Sequence, residues 1–357
     1  DHGGPTAGEE TPTGGVVMRK AISSVILLCL IFPLGYWPAL AADEFYKGKK
    51  IDVIIGYSAG GTYDATARLL SRHMPKYIPG SPTMVPQNMP GSGSIKAILN
   101  LYAVAPKDGT ALGMITRSYA IEPIFFPGKA KYDPKKFNPI GSTSTEVSVG
   151  VVWHTKPFKT LDDLHKREIV IGATGPTDDT GRFPMILKHL TGAKIKLVQG
   201  YPGGNNVTQA MEAGEVDARF GWSWGSVKSR AKHWLDEKKI RILIQMGLEK
   251  AKDLPDVPLM MEFAKSELDK QALELIFAPQ AVAWPLIAPP DVPKERIAML
   301  REAFDKTMKD PEFNAEAAKL RIDVEPITGA GMQKIVERIS NFDRKVIDRA
   351  LALSAVK

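Results

Sequence analysis

Three times in this chain an apolar run stops at a glycine-rich loop and a helical pattern takes over. IDVII (51–55) leads into GYSAGG, EIVI (168–171) into GATGPTDDTG, and KIKLVQG (194–200) into YPGGNN. A continuous apolar run bounded by turn residues marks a strand buried on both faces. Such strands alternating with helices make an α/β protein with mostly parallel sheets flanked by helices. Sheets of this kind bind ligands beyond the carboxyl ends of their strands. The loops come from both halves of the chain, so two sheets facing one another across a cleft would bring them together. Further strands are expected at 83–89, 111–116, 147–154, 216–220 and 240–246. Helices are expected at 95–104, 183–190 and 207–213, with long amphipathic ones at 294–309, 311–320 and 330–353.

The first residues read differently. Met18 to Ala42 has a positive start at Arg19 and Lys20, an apolar stretch from Ala21 to Leu34, and an Ala39-Leu40-Ala41 cleavage site. This is the plan of a secretory signal peptide. The apolar run is too short for a membrane anchor, and Pro33 and Pro38 break its end. Residues 1–17, ahead of Met18, read as an over-extended gene start. Cys29 is the only cysteine and lies inside the signal, so the mature chain has no disulfide and no thiolate metal site. Export to a bacterial periplasm follows. The net charge of +7 favours anionic partners. Lys and Arg are spread along the chain among acids, which speaks against nucleic acid.

In the first loop Gly56 and Gly61 have Walker A spacing, but Thr62 and Tyr63 stand where Lys and Ser/Thr would hold phosphate. Nucleotide hydrolysis is therefore disfavoured. Gly60 and Gly61 still let backbone approach a ligand, and the free N–H groups of the next helical turn suit a carboxylate. The plain alternative is a βα turn with Asp64 or Thr62 as N-cap. In the second loop Thr174, Thr177 and Thr180 supply hydroxyls and Arg182 a positive charge, while Asp178 and Asp179 lack the spacing of a calcium loop. In the third, Tyr201, Gly203, Gly204 and Asn205 are placed to touch a small ligand or to make only a turn.

GWSWG (221–225) matches the nucleophile elbow of a serine hydrolase. The chain holds no histidine after His233, which is only ten residues beyond Ser223 and belongs to the same helical stretch. With no base to activate Ser223, the preferred reading is that Trp222 and Trp224 line a pocket or pack at a domain edge. His73, His154, His165 and His189 are isolated, and no metal site is expected.

Taken together these stretches resemble the Bug family, the extracytoplasmic solute receptors of tripartite tricarboxylate transporters. The family's P-x-G-G-x-x-D-x-x-A-R stands here as SAGGTYDATAR (58–68), its N-x-P-G-x-G as NMPGSG (88–93), and its P-D-G-x-x-L as PKDGTAL (106–112). Tyr201, Gly203 and Gly204 with GEVD (214–217), LPDVP (254–258) and WPLIAPPDVPK (284–294) also match. The resemblance covers residues 43–357. Ser58 replaces the usual proline, Gly221 and Trp222 stand where a polar or acidic residue is common, and Arg117 where small hydroxyl residues are common.

The resemblance implies a two-domain periplasmic binding protein of the Venus-flytrap, type II-like class, closing on a small organic carboxylate held by backbone N–H groups. It also implies delivery to the integral membrane subunits of a tripartite transporter. The expected division is 43–145 plus 247–357 as domain 1 and 146–246 as domain 2. Tyr57, Ser58, Gly60, Gly61, Thr62 and Asp64 are expected at the ligand from domain 1, with Thr174, Thr177, Thr180, Tyr201, Gly203, Gly204 and Trp222 opposite. Arg117 or Arg182 would supply counter-charge, and Tyr57 and Trp222 leave both a dicarboxylate and an aromatic carboxylate open. A monomer with no cofactor, no metal and no catalytic step is expected. The alternatives are a serine hydrolase built on Ser223 and a receptor feeding a sensor kinase.

Overall fold

The computed structural model describes residues 45–355 apart from Thr177. The signal segment 18–42 and the stretch 1–17 lie outside the described residues.

The strands gather into two sheets. The first contains β1 (Lys50–Ile55), β2 (Thr83–Asn88), β3 (Ala111–Met114) and β4 (Asn138–Ser142), together with β10 (Pro285–Ala288) and β11 (Ile327–Thr328). Its order is β11-β4-β10-β3-β1-β2. The second contains β5 (Ser148–Trp153), β6 (Ile169–Ala173), β7 (Ile195–Gln199), β8 (Ala218–Ser223) and β9 (Ile240–Met246), in the order β7-β6-β8-β5-β9. Sheet and flanking helices make two α/β lobes of periplasmic binding protein type.

The sheets share one design. Three strands run parallel, β2-β1-β3 in the first and β7-β6-β8 in the second. The next strand in each order, β10 or β5, pairs antiparallel to both its neighbours. Those are the two strands that enter just after the chain has crossed from the other lobe, which reverses their direction. The sheets are therefore mixed, although β1–β4 and β6–β9 each keep one direction.

The helices that position the cleft are α1 (Thr62–His73), α2 (Ile95–Ala103), α3 (Asp179–Thr191), α4 (Gly204–Glu212) and α5 (Trp224–Arg230). Five more support the lobes: α6 (Glu267–Phe277), α7 (Lys294–Met308), α8 (Pro311–Lys319), α9 (Gly329–Ser340) and α10 (Arg344–Ser354). The amphipathic pattern at 330–353 reads as one helix but is two. Asp343 accepts a hydrogen bond from the Lys345 N–H at 2.8 Å, capping a new helix after a break.

Each sheet is buried on its helix-covered side. Val53, Ile55, Leu112 and Leu286 pack with Leu69 and Leu70 of α1 and Leu300 and Phe304 of α7. Val149, Val151 and Val216 pack with Trp222 and Trp234. A larger cluster joins the lobes, running from Ile171 and Phe183 to Phe277, Ile287 and Leu353. Within it the rings of Phe183 on α3 and Phe277 on α6 meet edge to face at 5.1 Å. Among the described residues no helix is long and apolar enough to cross a membrane.

Candidate functional site

The glycine loops meet at the carboxyl ends of β1, β6 and β7. One cavity there is lined from the first lobe by Tyr57, Ser58, Gly60, Gly61, Thr62, Tyr63 and Trp284, and from the second by Thr174, Asp178, Asp179, Thr180, Gly204, Asn205, Arg219 and Trp222, among others. The motif SAGGTYDATAR is held in shape by Asp64. Its carboxylate accepts bonds from the Gly60 N–H at 3.0 Å, Arg68 Nε at 2.9 Å and Asn88 Nδ2 at 3.0 Å. Burial alone would raise its pKa; the bonds from Arg68, Gly60 and Asn88 outweigh that and hold it below the ordinary carboxylate value. Asp64 thus supports the loop from behind and is not a lining residue.

The helix N-termini at the cleft divide into two kinds. Asp178 caps α3, accepting from the N–H groups of Thr180 at 3.1 Å and Gly181 at 3.3 Å. Ser223 caps α5, accepting from the Ser226 N–H at 3.1 Å. By contrast α1 starts at Gly61 and α4 at Gly203, neither with a side-chain cap. Their first-turn N–H groups and dipoles favour a negative charge in front of them, and both helices begin at this cavity.

Arg219 lines the same cavity. It projects from β8, with its guanidinium 4.3 Å from the Trp222 ring and Nη1 donating to the Gly204 carbonyl at 3.0 Å. Gly204 is needed for this approach, because a Cβ there would fall 2.1 Å from Nη2. The Nε is buried without a hydrogen-bond partner, and among the described residues no carboxylate forms an ion pair with the side chain. Burial pushes its pKa down to about 9, so it is still charged at neutral pH. Arg219 is half-buried, and a partly desolvated cation lacking its anion is a costly arrangement. It shares the cavity with two helix N-termini that also attract negative charge.

The β8 strand reaches this position through a bulge. The β5–β8 register shifts between Val149 and Val151, and Gly221 takes φ +68°. A Cβ on Gly221 would sit 2.4 Å from the Asp179 carbonyl oxygen. Gly221→Ala is therefore expected to cost about 1–3 kcal/mol of backbone strain, plus displacement of the start of α3. Urea denaturation checks it: an unchanged midpoint would show that the bulge is not held in this form.

Of the residues expected at the ligand, Tyr57, Ser58, Gly60, Gly61, Thr62, Thr174, Thr180, Gly204 and Trp222 surround the cavity. Gly203 lies at its edge as the α4 N-cap, and Tyr201 lines a neighbouring groove with Pro90, Ser92 and Pro176. Thr177 is outside the described residues. Neither arginine expected to supply counter-charge faces the cavity. Arg117 is buried, its Nε donating to Asp179 at 2.5 Å and its Nη2 to Ser148 Oγ at 2.8 Å. Arg182 is buried on α3, 3.4 Å from Glu122 and 4.5 Å from the Phe125 ring centre. Both are paired with acids of the opposite lobe, and it is Arg219 that lines the cavity.

Several bonds span the cleft. Ser58 Oγ lies 2.8 Å from Asn205 Oδ1, Asn205 Nδ2 donates to the Ala59 carbonyl at 3.1 Å, and Ser226 Oγ donates to Thr62 Oγ1 at 2.7 Å.

Residues 66–350 match the family model described as tripartite tricarboxylate transporter family receptor, TctC. The chain belongs to the TctC receptor family. Among its relatives, a UPF0065 protein from the gbd 5′ region of Cupriavidus necator is 27% identical over 303 residues, covering 82% of this chain and 84% of that protein. The fold is similar to that of the periplasmic binding protein BugD, with a TM-score of 0.70 at 18% identity over 86% of this chain and 98% of that one. It is also similar to MatC of Rhodopseudomonas palustris with bound malate, with a TM-score of 0.66 at 20% identity over 86% and 99%. The resemblance to Bug receptors seen in the sequence holds.

In this TctC receptor the GWSWG stretch is not built as a nucleophile elbow. Ser223 has ordinary φ and ψ of −52° and 129°. Its hydroxyl bonds to the Glu146 carboxylate, which also accepts from the Gly225 N–H at 3.2 Å. Among the described residues no histidine bonds to Ser223, and His233 instead lies against Trp234. Trp222 lines the cavity, while Trp224 donates its Nε1–H to Asp253 at 2.8 Å. Asp178 and Asp179, considered for calcium, are engaged by Thr174 and Thr180 and by Arg117 and Ser118.

Proposed function

We propose that this receptor works in the periplasm, captures a small organic carboxylate between its lobes and delivers it to the membrane subunits of a tripartite transporter. The observation that carries this is Arg219, a cation with no carboxylate partner among the described residues, lining the same cavity as the uncapped starts of α1 and α4. A carboxylate at that point supplies the missing anion, accepts the buried Nε–H and satisfies first-turn N–H groups. A charge-assisted bond of this kind contributes about 1.5–3 kcal/mol. MatC, which shares the fold, holds malate, a carboxylate. The lobes would divide near residues 146 and 246 and close as a hinge about the ligand, as a monomer. No covalent step is involved.

A thermal-shift screen of the purified mature chain against succinate, malate, adipate and benzoate tests this. A ligand at 100 times its Kd adds about 2.7 kcal/mol of stability. No shift with any carboxylate would overturn the reading. Ser223→Ala should lose the α5 cap and the bond to Glu146, about 1–3 kcal/mol together, and keep ligand affinity within a few-fold. Ester turnover by the wild type that vanishes in this variant would replace the receptor reading with a hydrolase.

A further inference from the structure

The walls and the charge of the same cavity say more about its cargo, if the carboxylate reading above is right. Its first-lobe wall is a chain of rings. Tyr57 and Tyr63 lie 4.5 Å apart at 34°, and Tyr63 meets Trp284 edge to face at 4.8 Å. The second lobe adds Trp222, one side of which is covered by the Arg219 guanidinium. All four rings line the one cavity.

The charges facing it are few. Asp179 is neutralised from behind by Arg117 at 2.5 Å. Asp178 is the α3 cap, and its oxygens are taken by Thr174, Thr180 and Gly181. Arg219 is the inward cation, and Arg230 is exposed at the margin. Of the two lining guanidiniums, Arg219 is the one inside the cavity, and among the described residues no carboxylate is bonded to it. One carboxylate balances it. A second carboxylate on the same ligand would have to be placed among the rings, near Asp178, or out at Arg230, where water screens the attraction.

We propose that the cargo is an aromatic monocarboxylate, its carboxylate at Arg219 and its ring against Tyr57, Tyr63 and Trp284. A planar ring offers rigid area to these walls at little entropic cost, and ring-on-ring contacts add to the area buried. A flexible aliphatic diacid gains neither.

Isothermal titration of the full-length mature protein separates the possibilities. The probes are benzoate, cyclohexanecarboxylate, succinate and adipate. Benzoate is expected to bind at least tenfold more tightly than each of the other three. Tyr57→Leu should reduce benzoate affinity at least fivefold and change cyclohexanecarboxylate affinity by less than twofold. Succinate or adipate binding more tightly than benzoate overturns the inference and leaves carboxylate capture standing. Equal affinity for benzoate and cyclohexanecarboxylate overturns the aromatic preference in the same way. If none of the four binds, carboxylate capture itself fails.

Discussion

Arg219→Gln is expected to weaken carboxylate binding by about 10- to 150-fold while leaving the protein at least as stable as the wild type. The first part follows from losing a charge-assisted bond of about 1.5–3 kcal/mol. The second follows from burial. In the free protein the side chain is half-buried, its Nε is buried without a partner, and among the described residues no carboxylate pairs with it. Replacing such a group with a neutral amide removes a cost of folding. Structural arginines behave in the opposite way, losing stability when replaced. Titration calorimetry and urea denaturation on the same variant give both readings. A variant that unfolds more easily and binds as before would make Arg219 a structural residue and remove the main support for an anion site.

Arg117→Ala should show that opposite pattern. Its partner Asp179 lies 62 positions along the chain, and both side chains are buried. Truncating one member of such a pair leaves a buried charge without its counter-ion, at about 3–5 kcal/mol. Ser118 Oγ, which donates to Asp179 at 2.8 Å, offsets only part of this. Replacing both members by Leu should recover most of the loss, because well-packed apolar residues often match a buried ion pair. Urea denaturation of the single and double variants gives the comparison. A loss below about 1 kcal/mol for Arg117→Ala would mean that the pair is solvated and that α3 is not anchored through it.

Much of the architecture is legible in the residues because buried parallel strands announce themselves. IDVII, EIVIGA and IRILIQM are mostly apolar runs bounded by turn residues, and each contains a strand. The strands that escape notice are short or contain proline: Asn138–Ser142, Pro285–Ala288 and Ile327–Thr328. Their pairing depends on neighbours far away in sequence, not on a local pattern. The break between α9 and α10 escapes for another reason, since the apolar spacing continues across it and only the Asp343 cap marks it.

The site divides along the same line. Glycines reveal the loops, and the loops do surround one cavity. The arginines mislead. Arg117 and Arg182 stand beside loops, but their acids are 62 and 60 positions away. Local sequence holds no trace of those partners. Arg219 leaves one signal. It is a charged residue inside a strand, between Ala218 and Phe220, both fully buried. A cation there needs either an acid or a ligand.

The bonds across the cleft differ in kind. Two, Arg117 to Asp179 and Arg182 to Glu122, pair an arginine with an acid. Others, Ser58 to Asn205 and Ser226 to Thr62, are between uncharged groups. Arrival and departure should therefore answer to different conditions. Encounter with an anion is steered by the guanidiniums and slows as added salt screens them. Residence time would be set by those cross-cleft bonds and by the charge-assisted bond at Arg219, which lie inside the cleft, where salt screens less. In a compartment exposed to changing salinity, the receptor would collect its cargo at varying speed and release it on a steadier clock.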